Sequence, residues 1–537
     1  MSVSDFTAPA PALVLILGLG ETGIAAARWC ARSGARLRVA DTRAEPAGLE
    51  ALRAALAQRT GAETQAEAEA EAEAEATTPE RVQPHAEPQF HLGLASFDAS
   101  LLDGVTQVVI SPGLAPNQSP ALELIEAAAA RGIEVIGEIE LFARALAALA
   151  DSRDYHPRVL AVTGTNGKTT VTALTRHLVE AAGLTARAAG NISPAALAAL
   201  MDALDEDDLP QVWVLELSSF QLHTTHTLSA DAAVVLNVTQ DHLDWHGDMQ
   251  AYAAAKARLL GMARIAVINR DDPLTVAMVE RVAALNVRTI GRDVPTLVGD
   301  LGMDQASGVA WLTSCEPSDF DIPVEAPKRR KKDAPPPSRE QGRLSRLMPV
   351  DALLIRGLHN ATNTLAACAL ARAIDLGWAP LLRAAREYEG EPLRVEYVRS
   401  IGGVDFINDS KGTNVGATVA ALDGLGQPVV LIAGGLGKGQ DFSPLVAPVA
   451  RHARAVVLIG KDGPEINDAL ETTGVTRVFA TDMRDAVRQA HGLAQAGDAV
   501  LLSPACASMD MFRSYVHRGQ VYTDEVQELA LDQGEVA

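Results

Sequence analysis

Cysteine is scarce in this 537-residue sequence, and so are long apolar runs and net positive charge. The four cysteines lie far apart and form no CxxC motif, which argues against a disulfide framework or a zinc knuckle and suits a reducing compartment. The apolar stretch at residues 12–19 is too short to span a bilayer, and it has neither a basic leader nor a cleavage site. We therefore expect a cytoplasmic protein without membrane insertion.

The net charge of -22 disfavours general binding to nucleic acid or to anionic lipid, so an anionic substrate would need local positive charge. The length exceeds what one hydrophobic core supports, and domains of roughly 100–200 residues imply about three. The composition, 48% hydrophobic and 21% charged, is ordinary for a soluble globular protein. We expect a monomer that acts on small molecules.

Apolar strands alternate with helical patterns along the whole chain, which is typical of α/β domains with parallel sheets. We predict a Rossmann-like domain at 1–147, a central domain with a parallel sheet like that of P-loop ATPases at 148–390, and a second Rossmann-like domain at 391–537. A Glu/Ala-rich insertion at 63–88 and a basic, proline-rich insertion at 324–346 interrupt this pattern. The Glu/Ala-rich run is expected to be a solvated helix or a disordered loop, and the basic, proline-rich stretch a flexible surface insertion.

The motif with the clearest chemistry is TGTNGKTT (163–170), which lies between a predicted strand and a predicted helix. A glycine turn that enters a helix presents backbone N–H groups to phosphate. Lys168 would neutralise the β- and γ-phosphates, and Thr169 would ligate Mg²⁺. The alternative is a tight strand–helix turn without a ligand. The residues predicted to bind ATP here are Gly164, Thr165, Asn166, Gly167, Lys168, Thr169 and Thr170.

Two further polar residues follow predicted strands. Glu216 interrupts an apolar strand, and a buried carboxylate needs a partner. His242 follows the next strand, and open α/β sheets bind ligands at the carboxyl ends of their strands. A lone glutamate or histidine would more often be structural. Together with the phosphate loop, however, Glu216 and His242 predict a magnesium–ATP site.

The loop is not the standard Walker pattern, because Val162 stands where that pattern has a glycine. Its shorter TGTNGK(S/T) form resembles the Mur ligase and folylpolyglutamate synthase superfamily. NVTQDHLDWH (237–246) is similar to a segment found widely in Mur ligases, and LELSSFQL (215–222) resembles the members that add D-glutamate. The resemblance covers the chain apart from the two insertions.

The resemblance implies that Thr169, Glu216 and His242 help to hold two magnesium ions. It also implies that Lys256, in AYAAAKARLL (251–260), is carbamylated and helps to position a magnesium ion, although by itself this lysine reads as an exposed helix residue. Leu393 stands where the family has a histidine, next to a matching arginine. Further nucleotide-binding residues implied by the resemblance are Asn360, Asn363, Arg394 and Asp409.

The third predicted domain contains NDSKGTN (408–414), AGGLGKGQDF (433–442) and SPACASMDMF (503–512), which resemble the family's acceptor site. The implied amino-acid-binding residues are Lys411, Thr413, Lys438, Ser508 and Tyr515. A non-catalytic nucleotide switch would not explain an amino-acid pocket in this domain.

The first predicted domain carries a GxGxxG turn formed by Gly18, Gly20 and Gly23, and Asp41 ends its second strand. Taken alone, this pattern is a dinucleotide fingerprint and leaves a dehydrogenase as the alternative, but no hydride-transfer constellation follows it. The resemblance instead implies binding of a uridine nucleotide substrate. The residues implied to bind it are Gly20, Thr22, Asp41, Thr42, Arg43, Ser111, Gly113 and Asn191.

The implied reaction is ATP-dependent ligation of D-glutamate to UDP-N-acetylmuramoyl-L-alanine through an acyl phosphate. It would give ADP and phosphate, and it belongs to the synthesis of peptidoglycan precursors. The cofactors are ATP and Mg²⁺. The expected catalytic residues are Lys168, Glu216, His242 and Lys256.

Overall fold

The computed structural model describes residues 13–57, 88–318 and 337–535. The run of alternating Glu and Ala at 66–76 and the basic run at 328–332 lie outside these residues. The chain packs into two compact units. The first comprises Met1–Thr163, Leu184–Asp231 and Arg258–Arg264, and the second comprises Gly164–Gly183, Ala232–Ala257 and Ile265–Ala537.

The first unit is built from parallel strands. They are β1 (Leu13–Leu17), β2 (Arg36–Asp41), β3 (Gln89–Leu92), β4 (Gln107–Ile110), β5 (Glu134–Ile136), β6 (Arg158–Thr163), β7 (Ala186–Gly190) and β8 (Val212–Glu216). One sheet has the order β3–β2–β1–β4–β5, and β8 pairs with both β6 and β7. Every residue of β1 and β8 is buried, as expected for central parallel strands that are covered on both faces.

The α-helices of the first unit follow the strands in the chain. They are Glu21–Arg32, Leu122–Ala130, Glu138–Arg153, Ala196–Asp205 and Ser219–His223. Three of them, Glu21–Arg32, Glu138–Arg153 and Ala196–Asp205, pack against one another. Their contact joins the segment after β1 to the segment after β7.

The second unit contains three groups of strands. They are the parallel β10 (Ala263–Asn269) and β11 (Val287–Ile290), the antiparallel β12 (Leu301–Ala306), β13 (Val309–Glu316) and β14 (Arg343–Pro349), and a six-stranded sheet made of β15 (Glu396–Ile401), β16 (Val404–Asn408), β17 (Val429–Gly434), β18 (Ala453–Ile459), β19 (Thr476–Phe479) and β20 (Ala499–Leu502). The six-stranded sheet has the order β15–β16–β20–β17–β18–β19, and only β15 is antiparallel to its neighbour. Both β9 (Ala230–Val235) and β10 begin in the first unit and continue in the second, and the helix Met249–Gly261 begins in the second unit and ends in the first.

The α-helices of the second unit cover these strands or connect them. They are Lys168–Ala181, Leu243–His246, Met249–Gly261, Pro273–Val276, Leu358–Ala373, Trp378–Glu387, Val415–Gly424, Val446–His452, Gly463–Ala469, Met483–Leu493 and Tyr515–Asp532. Two apolar clusters line the two faces of the six-stranded sheet, with Leu431 and Leu458 on one face and Ile432 and Val457 on the other. In the described ranges, no helix is both long and apolar enough to cross a membrane.

The prediction of α/β architecture with parallel sheets is confirmed, but two details differ. The antiparallel group β12–β14 was not predicted. The interpretation of 324–346 as a flexible insertion is wrong for residues 337–346, because β14 begins at Arg343 and Ser338 forms a bridge with Ala284. Arg339 is buried in an ion pair with Asp300, so this end of the segment is anchored. The strand β14 could not be recognised in the sequence because its apolar alternation is weak and because it follows the KRRKK and PPP runs, which indicate a loop.

Candidate active site

The phosphate loop at 164–167 enters the helix Lys168–Ala181 and contains two glycines with positive φ. Gly164 has φ +155° and Gly167 has φ +84°, a region that favours glycine. A Cβ atom at Gly164 would lie 2.9 Å from Cβ of Leu236, and one at Gly167 would lie 2.7 Å from Oδ1 of Asn363. Side chains are excluded at both positions, which leaves the backbone amides of the first helical turn accessible to a phosphate group.

Polar residues of the segment after β9 hold this loop. The backbone amide of Thr165 donates to the carbonyl of Asn237 at 2.9 Å, and the amide of Asn166 donates to Oδ1 of Asn237 at 2.8 Å. The amide of Thr239 donates to the Thr165 hydroxyl at 3.0 Å. Asn237 thus fixes the loop from outside it, a role that the sequence pattern did not reveal.

Lys256 is 1% exposed, so the interpretation of this lysine as an exposed helix residue is wrong. Its Nζ donates to the carbonyl of Gly164 at 2.9 Å and lies 4.4 Å from the centre of the Tyr252 ring. Nζ of Lys168 donates to the same Gly164 oxygen at 3.1 Å and to the carbonyl of Thr165 at 2.9 Å. Burial and the nearby Lys168 charge hold the pKa of Lys256 well below its ordinary value, against the opposing effect of Asp241.

His242 lies next to these lysines in the second unit. It has a left-handed backbone, φ 54°, and begins the short helix Leu243–His246. Burial lowers the pKa of His242, and the charges of Lys168 and Lys256 act in the same direction while Asp241 opposes them. A lowered pKa favours the neutral imidazole at neutral pH, which is the form that binds metals.

Glu216 lies in the first unit, at the end of β8, and is buried. Asn191 holds it twice: the Asn191 amide donates to the Glu216 carbonyl at 2.8 Å, and Nδ2 donates to Oε1 at 2.9 Å. In the described ranges no three His, Cys, Asp or Glu side chains form a ready-made metal cluster. The predicted set of Thr169, Glu216, His242 and Lys256 therefore stays a prediction.

Two predicted nucleotide residues lie in the first turns of the helix Leu358–Ala373. Nδ2 of Asn363 donates to Oδ1 of Asn360 at 3.1 Å, and Nδ2 of Asn360 donates to the carbonyl of Arg356 at 2.8 Å. Oδ1 of Asn363 is the atom that faces Gly167. The structure thus brings this asparagine pair to the phosphate loop.

Asn414, which the sequence analysis did not select, links the phosphate loop to the third predicted domain. Its Nδ2 donates to Oδ1 of Asn166 at 3.1 Å, and Nδ2 of Asn166 donates back to Oδ1 of Asn414 at 3.3 Å. Asn414 also donates to Asp241 at 3.3 Å and caps the helix Val415–Gly424 by accepting from the Ala417 amide at 2.9 Å. An asparagine before an apolar helical run was an available signal for the cap, but nothing in the sequence pointed to the contact with Asn166.

Arg394 is flanked by two residues with positive φ, Leu393 at 63° and Val395 at 52°. The Val395 amide donates to Oδ1 of Asp409 at 3.3 Å, and the Ser503 hydroxyl donates to Oδ2 of Asp409 at 2.7 Å. Burial raises the pKa of Asp409 to about 7, although Ser503 and the charge of Arg394 oppose this effect. A β-branched residue in this backbone region is rare, and such strain is typical of functional segments.

Leu393, the departure from the family pattern, has a packing role. Its side chain covers Gly519, where an added Cβ would lie 2.5 Å from Cδ2 of Leu393. Its carbonyl accepts from the Lys411 amide at 3.2 Å. The leucine therefore supports the backbone beside the predicted acceptor residues.

The predicted amino-acid residues come together in pairs. Nζ of Lys411 lies 5.2 Å from the centre of the Tyr515 ring. The loops that carry Lys438 and Ser508 pair through reciprocal backbone hydrogen bonds between Leu436 and Ala507, at 2.9 and 3.0 Å. Thr413 lies on the same loop as Lys411 and donates its amide to the Lys411 carbonyl at 2.9 Å.

A buried arginine that sequence reasoning missed ties two of these loops together. Arg518 is fully buried and donates to the carbonyl and the hydroxyl of Ser410, at 2.8 and 3.1 Å, and to the carbonyl of Cys506 at 3.0 Å. Burial lowers its pKa to about 10. No sequence signal distinguishes a buried arginine of this kind from an exposed one.

The predicted uridine site lies in the first unit. Asp41 is buried at the end of β2 and accepts from the Leu19 amide at 2.6 Å and from the amide and guanidinium of Arg43 at 2.7–2.9 Å. Burial alone would raise the pKa of Asp41, but these hydrogen bonds hold it below the ordinary value. The Ser111 hydroxyl donates to the Gly18 carbonyl at 2.7 Å. Gly20, Thr42 and Gly113 lie on the same loops, and Thr22 lies in the first turn of the helix Glu21–Arg32.

Three family models match successive parts of the chain. A Mur ligase MurD-like N-terminal domain matches residues 12–74, a Mur ligase middle domain matches 162–306, and a Mur ligase glutamate ligase domain matches 393–506. The class of protein that these models and the phosphate loop define is the Mur ligase. The predicted domain boundaries near 147 and 390 are not tested by these matches and stay predictions.

A UDP-N-acetylmuramoylalanine–D-glutamate ligase of Bordetella avium is 70% identical over 98% of this chain and 97% of its own length. The fold is similar to that of a UDP-N-acetylmuramate-alanine ligase of Thermotoga maritima, with a TM-score of 0.52 and 17% identity over 97% of this chain and all of that one. It is also similar to a MurF ligase of Thermotoga maritima in complex with ADP, with a TM-score of 0.51 and 16% identity over 80% of this chain and 91% of that one. The chain therefore belongs to the Mur ligase family and, within it, to the UDP-N-acetylmuramoylalanine–D-glutamate ligases.

Proposed function

We propose that this chain ligates D-glutamate to UDP-N-acetylmuramoyl-L-alanine at the expense of ATP, giving ADP and phosphate. The observation that carries the proposal is the 70% identity, over 98% of the chain, with a relative of that name. The contact between Asn166 of the phosphate loop and Asn414 beside the predicted acceptor residues supports it. This contact joins the two parts that a two-step ligation needs.

In the first step, a carboxylate oxygen of the alanyl group attacks the γ-phosphorus of ATP, and ADP leaves. The amides of the phosphate loop and the ammonium of Lys168 offset the negative charge that gathers on the transferring group. For this role Lys168 exchanges its present acceptors, the carbonyls of Gly164 and Thr165, for phosphate oxygens. Asn360, Asn363, Arg394 and Asp409 complete the proposed nucleotide site.

In the second step, the amine of D-glutamate attacks the carbonyl carbon of the acyl phosphate. The tetrahedral intermediate collapses to an amide and releases phosphate and a proton. Lys411 and Lys438 match the two carboxylates of D-glutamate, because charge-assisted hydrogen bonds to carboxylate are strong. Thr413, Ser508 and Tyr515 complete the proposed acceptor pocket.

The donor chemistry of the residues proposed for magnesium suits a hard cation, because Thr169, Glu216 and a carbamate offer oxygen atoms. Mg²⁺ takes few protein ligands, usually one or two carboxylates, and fills its shell with phosphate oxygens and water. Thr169, Glu216, His242 and a carbamate on Lys256 would hold it, and it would supply charge neutralisation on the phosphates. The lowered pKa of Lys256 supports the carbamate, because a neutral amine can attack carbon dioxide and lose a proton.

The uridine diphosphate end of the substrate is assigned to the glycine turn after β1, to the end of β2 with the loop that follows it, and to the loop that follows β4. The proposed residues are Gly20, Thr22, Asp41, Thr42, Arg43, Ser111 and Gly113, and Asn191, which follows β7, is proposed to bind the same substrate near its muramoyl part. In this proposal residues 1–147 bind the UDP-precursor, 148–390 bind ATP and 391–537 bind the amino acid. The reaction belongs to the cytoplasm, where ATP is available, and the enzyme acts as a monomer because a single chain carries the residues proposed for all three substrates.

The test is an assay of purified protein for release of ADP and phosphate. Wild-type enzyme supplied with ATP, Mg²⁺ and UDP-N-acetylmuramoyl-L-alanine should release phosphate steadily only when D-glutamate is added. The Lys168→Ala variant should fold normally and lose roughly 10²–10³-fold in kcat, the effect of removing one charge-stabilising donor. Near-normal turnover in that folded variant would rule out the proposed ATP site.

A further inference from the structure

Glu21 stands directly after the glycine turn that is proposed to bind the uridine diphosphate. It begins the helix Glu21–Arg32, and its Oε1 accepts from the hydroxyl of Ser193 at 2.7 Å and from the amide of Ala195 at 3.2 Å. These contacts are nonlocal, since the partners lie more than 170 residues further along the chain. One carboxylate thus joins the glycine turn to the segment 191–195.

The segment 191–195 also contacts Glu216. Asn191 binds both the carbonyl and the side chain of Glu216, at 2.8 and 2.9 Å. The backbones approach so closely that a Cβ atom on Gly190 would lie 2.3 Å from the Glu216 carbonyl oxygen. A displacement of this segment would therefore move Asn191 and the carboxylate of Glu216 with it.

The helix that follows the segment is anchored at both ends. At its far end, Asp205 forms an ion pair with Arg32 at 2.6 Å. At its near end, the amide of Leu197 donates at 2.5 Å to Oε1 of Glu138, a fully buried carboxyl. Carboxylates at a helix N-terminus are favourable because they satisfy orphan amides and match the helix dipole. Glu21 extends this set of contacts to the glycine turn after β1.

We infer that Glu21 is a positioning residue that fixes the segment 191–195, and through it Asn191 and the carboxylate of Glu216, relative to the glycine turn after β1. The inference rests on the proposed function, in which the uridine diphosphate binds at that turn and Glu216 helps to hold magnesium. A substrate that is bound at one end must present its other end to the γ-phosphate. Because a misplacement of about 1 Å can cost about 10²-fold in rate, the spacing between turn and carboxylate bears directly on turnover.

The kinetic test compares Glu21→Ala with Glu21→Gln. Loss of the acceptor oxygen in Glu21→Ala should lower kcat/KM for the UDP-precursor by roughly 10–100-fold, which is the loss seen when an outer-shell metal partner is removed. The magnesium concentration for half-maximal activity should rise several-fold. The KM for D-glutamate should stay within about twofold. Glu21→Gln keeps an oxygen that accepts from Ser193 and Ala195, so it should regain most of the activity.

The matched control is Arg32→Ala. This substitution removes the ion pair with Asp205 between the same two helices, at the end far from the glycine turn. It should lower the melting temperature without changing the magnesium dependence. Ser193→Ala, which keeps the Ala195 contact, should give a milder form of the Glu21→Ala kinetics and serves if Glu21→Ala does not fold. If Glu21→Ala or Ser193→Ala only loses thermal stability, as Arg32→Ala does, the positioning role is wrong. Failure of the proposed function would give a different result from failure of the positioning role, because the wild-type protein would then release no phosphate in response to D-glutamate.

Discussion

Lys168 and Lys256 donate to the same acceptor, the carbonyl oxygen of Gly164, at 3.1 and 2.9 Å. Two ammonium ions this close repel each other, and the repulsion is strongest where burial excludes water. The structure relieves it by holding the pKa of Lys256 far below its ordinary value. A carbamate on Lys256 would go further, because an anion beside Lys168 converts the repulsion into attraction.

Replacing Lys256 by alanine should therefore lower kcat by about 100-fold at saturating magnesium and ATP, the upper end of the loss when a group that orients a metal is removed. Acetate or propionate should restore part of the activity by occupying the place of the carbamate. The Lys168→Ala variant, which lacks a cation rather than an anion, should gain nothing from the same acids. A folded Lys256→Ala enzyme with unchanged activity and magnesium dependence would contradict the role assigned to this lysine.

The reciprocal amide pair of Asn166 and Asn414 predicts energetic coupling between the phosphate loop and the acceptor loop. Asn166→Ala and Asn414→Ala should each reduce kcat/KM for D-glutamate, and the double variant should lose less than the product of the two effects. Residues in direct contact couple by about 0.5–3 kcal/mol in such cycles. Asn467→Ala, at an asparagine whose side chain bonds to Asp468 and Arg477, is the matched control and should combine multiplicatively with Asn166→Ala. Multiplicative losses for the Asn166 and Asn414 pair would show that the contact has no part in catalysis.

The strands and the phosphate loop could be predicted from the sequence because their signals are local. β2 ends at Asp41 as predicted, and the glycine turn at 164–167 needs only its own residues and a following helix. The link between Asn166 and Asn414 could not be predicted, since it joins residues that are 248 positions apart. Side-chain pairs of that separation depend on how domains pack, and neither periodicity nor spacing reports this packing.

Burial was the second property that the sequence did not reveal. Lys256 lies on a helix with an ordinary mixture of small and charged residues, yet it is almost fully buried against Gly164. Arg339 lies next to a proline-rich run, yet it pairs with Asp300 in the interior. Charged residues are rarely buried without partners, so a sequence-based interpretation assigns them to the surface. Lys256 and Arg339 can be buried because they have partners, but these partners are distant in the chain and the sequence does not show them.

Glu138 gives a prediction for stability against pH. Burial raises its pKa to about 7 from an ordinary value of 4.5, with the charge of Glu21 adding to the effect. Between these two pH values the folded state binds more protons than the unfolded state, so Glu138 makes the protein less stable as pH rises through this window. The full contribution corresponds to about 3 kcal/mol at most. Glu138→Gln should therefore lose less thermal stability between pH 5 and pH 8 than the wild type.

Glu126→Gln is the matched control for Glu138→Gln, because Glu126 is exposed on a helix of the same unit. The comparison also removes the contribution of Asp409, whose pKa burial likewise raises to about 7. Melting temperatures across the pH range should separate the two variants above pH 5. Identical pH profiles for the two variants would mean that ionisation of Glu138 does not destabilise the folded protein.

The choice of acceptor amino acid is the sharpest prediction for the third predicted domain. Lys438 is exposed on a loop that pairs with the loop of Ser508, and Lys411 supplies a second cation beside Tyr515. D-glutamate carries two carboxylates, whereas alanine has no use for a second cation and a diamino acid would need an acidic or carbonyl partner for its distal amine. A charged hydrogen bond contributes roughly 1.5–3 kcal/mol, or about 10–100-fold in affinity. Lys438→Ala should accordingly raise the KM for D-glutamate by that factor and leave the KM for ATP almost unchanged.

The control for Lys438→Ala is Lys461→Ala, because Lys461 is also an exposed lysine of this domain, and the hydrogen bond that it makes to Asp510 comes from its backbone amide. This variant should keep the KM of the wild type for D-glutamate. The deciding assay offers UDP-N-acetylmuramoyl-L-alanine and ATP with D-glutamate, L-glutamate, L-alanine or diaminopimelate in turn. Phosphate release that depends on one of the last three and not on D-glutamate would refute the specificity argued from Lys411 and Lys438. An equal rise of KM for ATP and for D-glutamate in Lys438→Ala would instead place this lysine at the nucleotide, and the second cation of the acceptor pocket would have to be sought elsewhere.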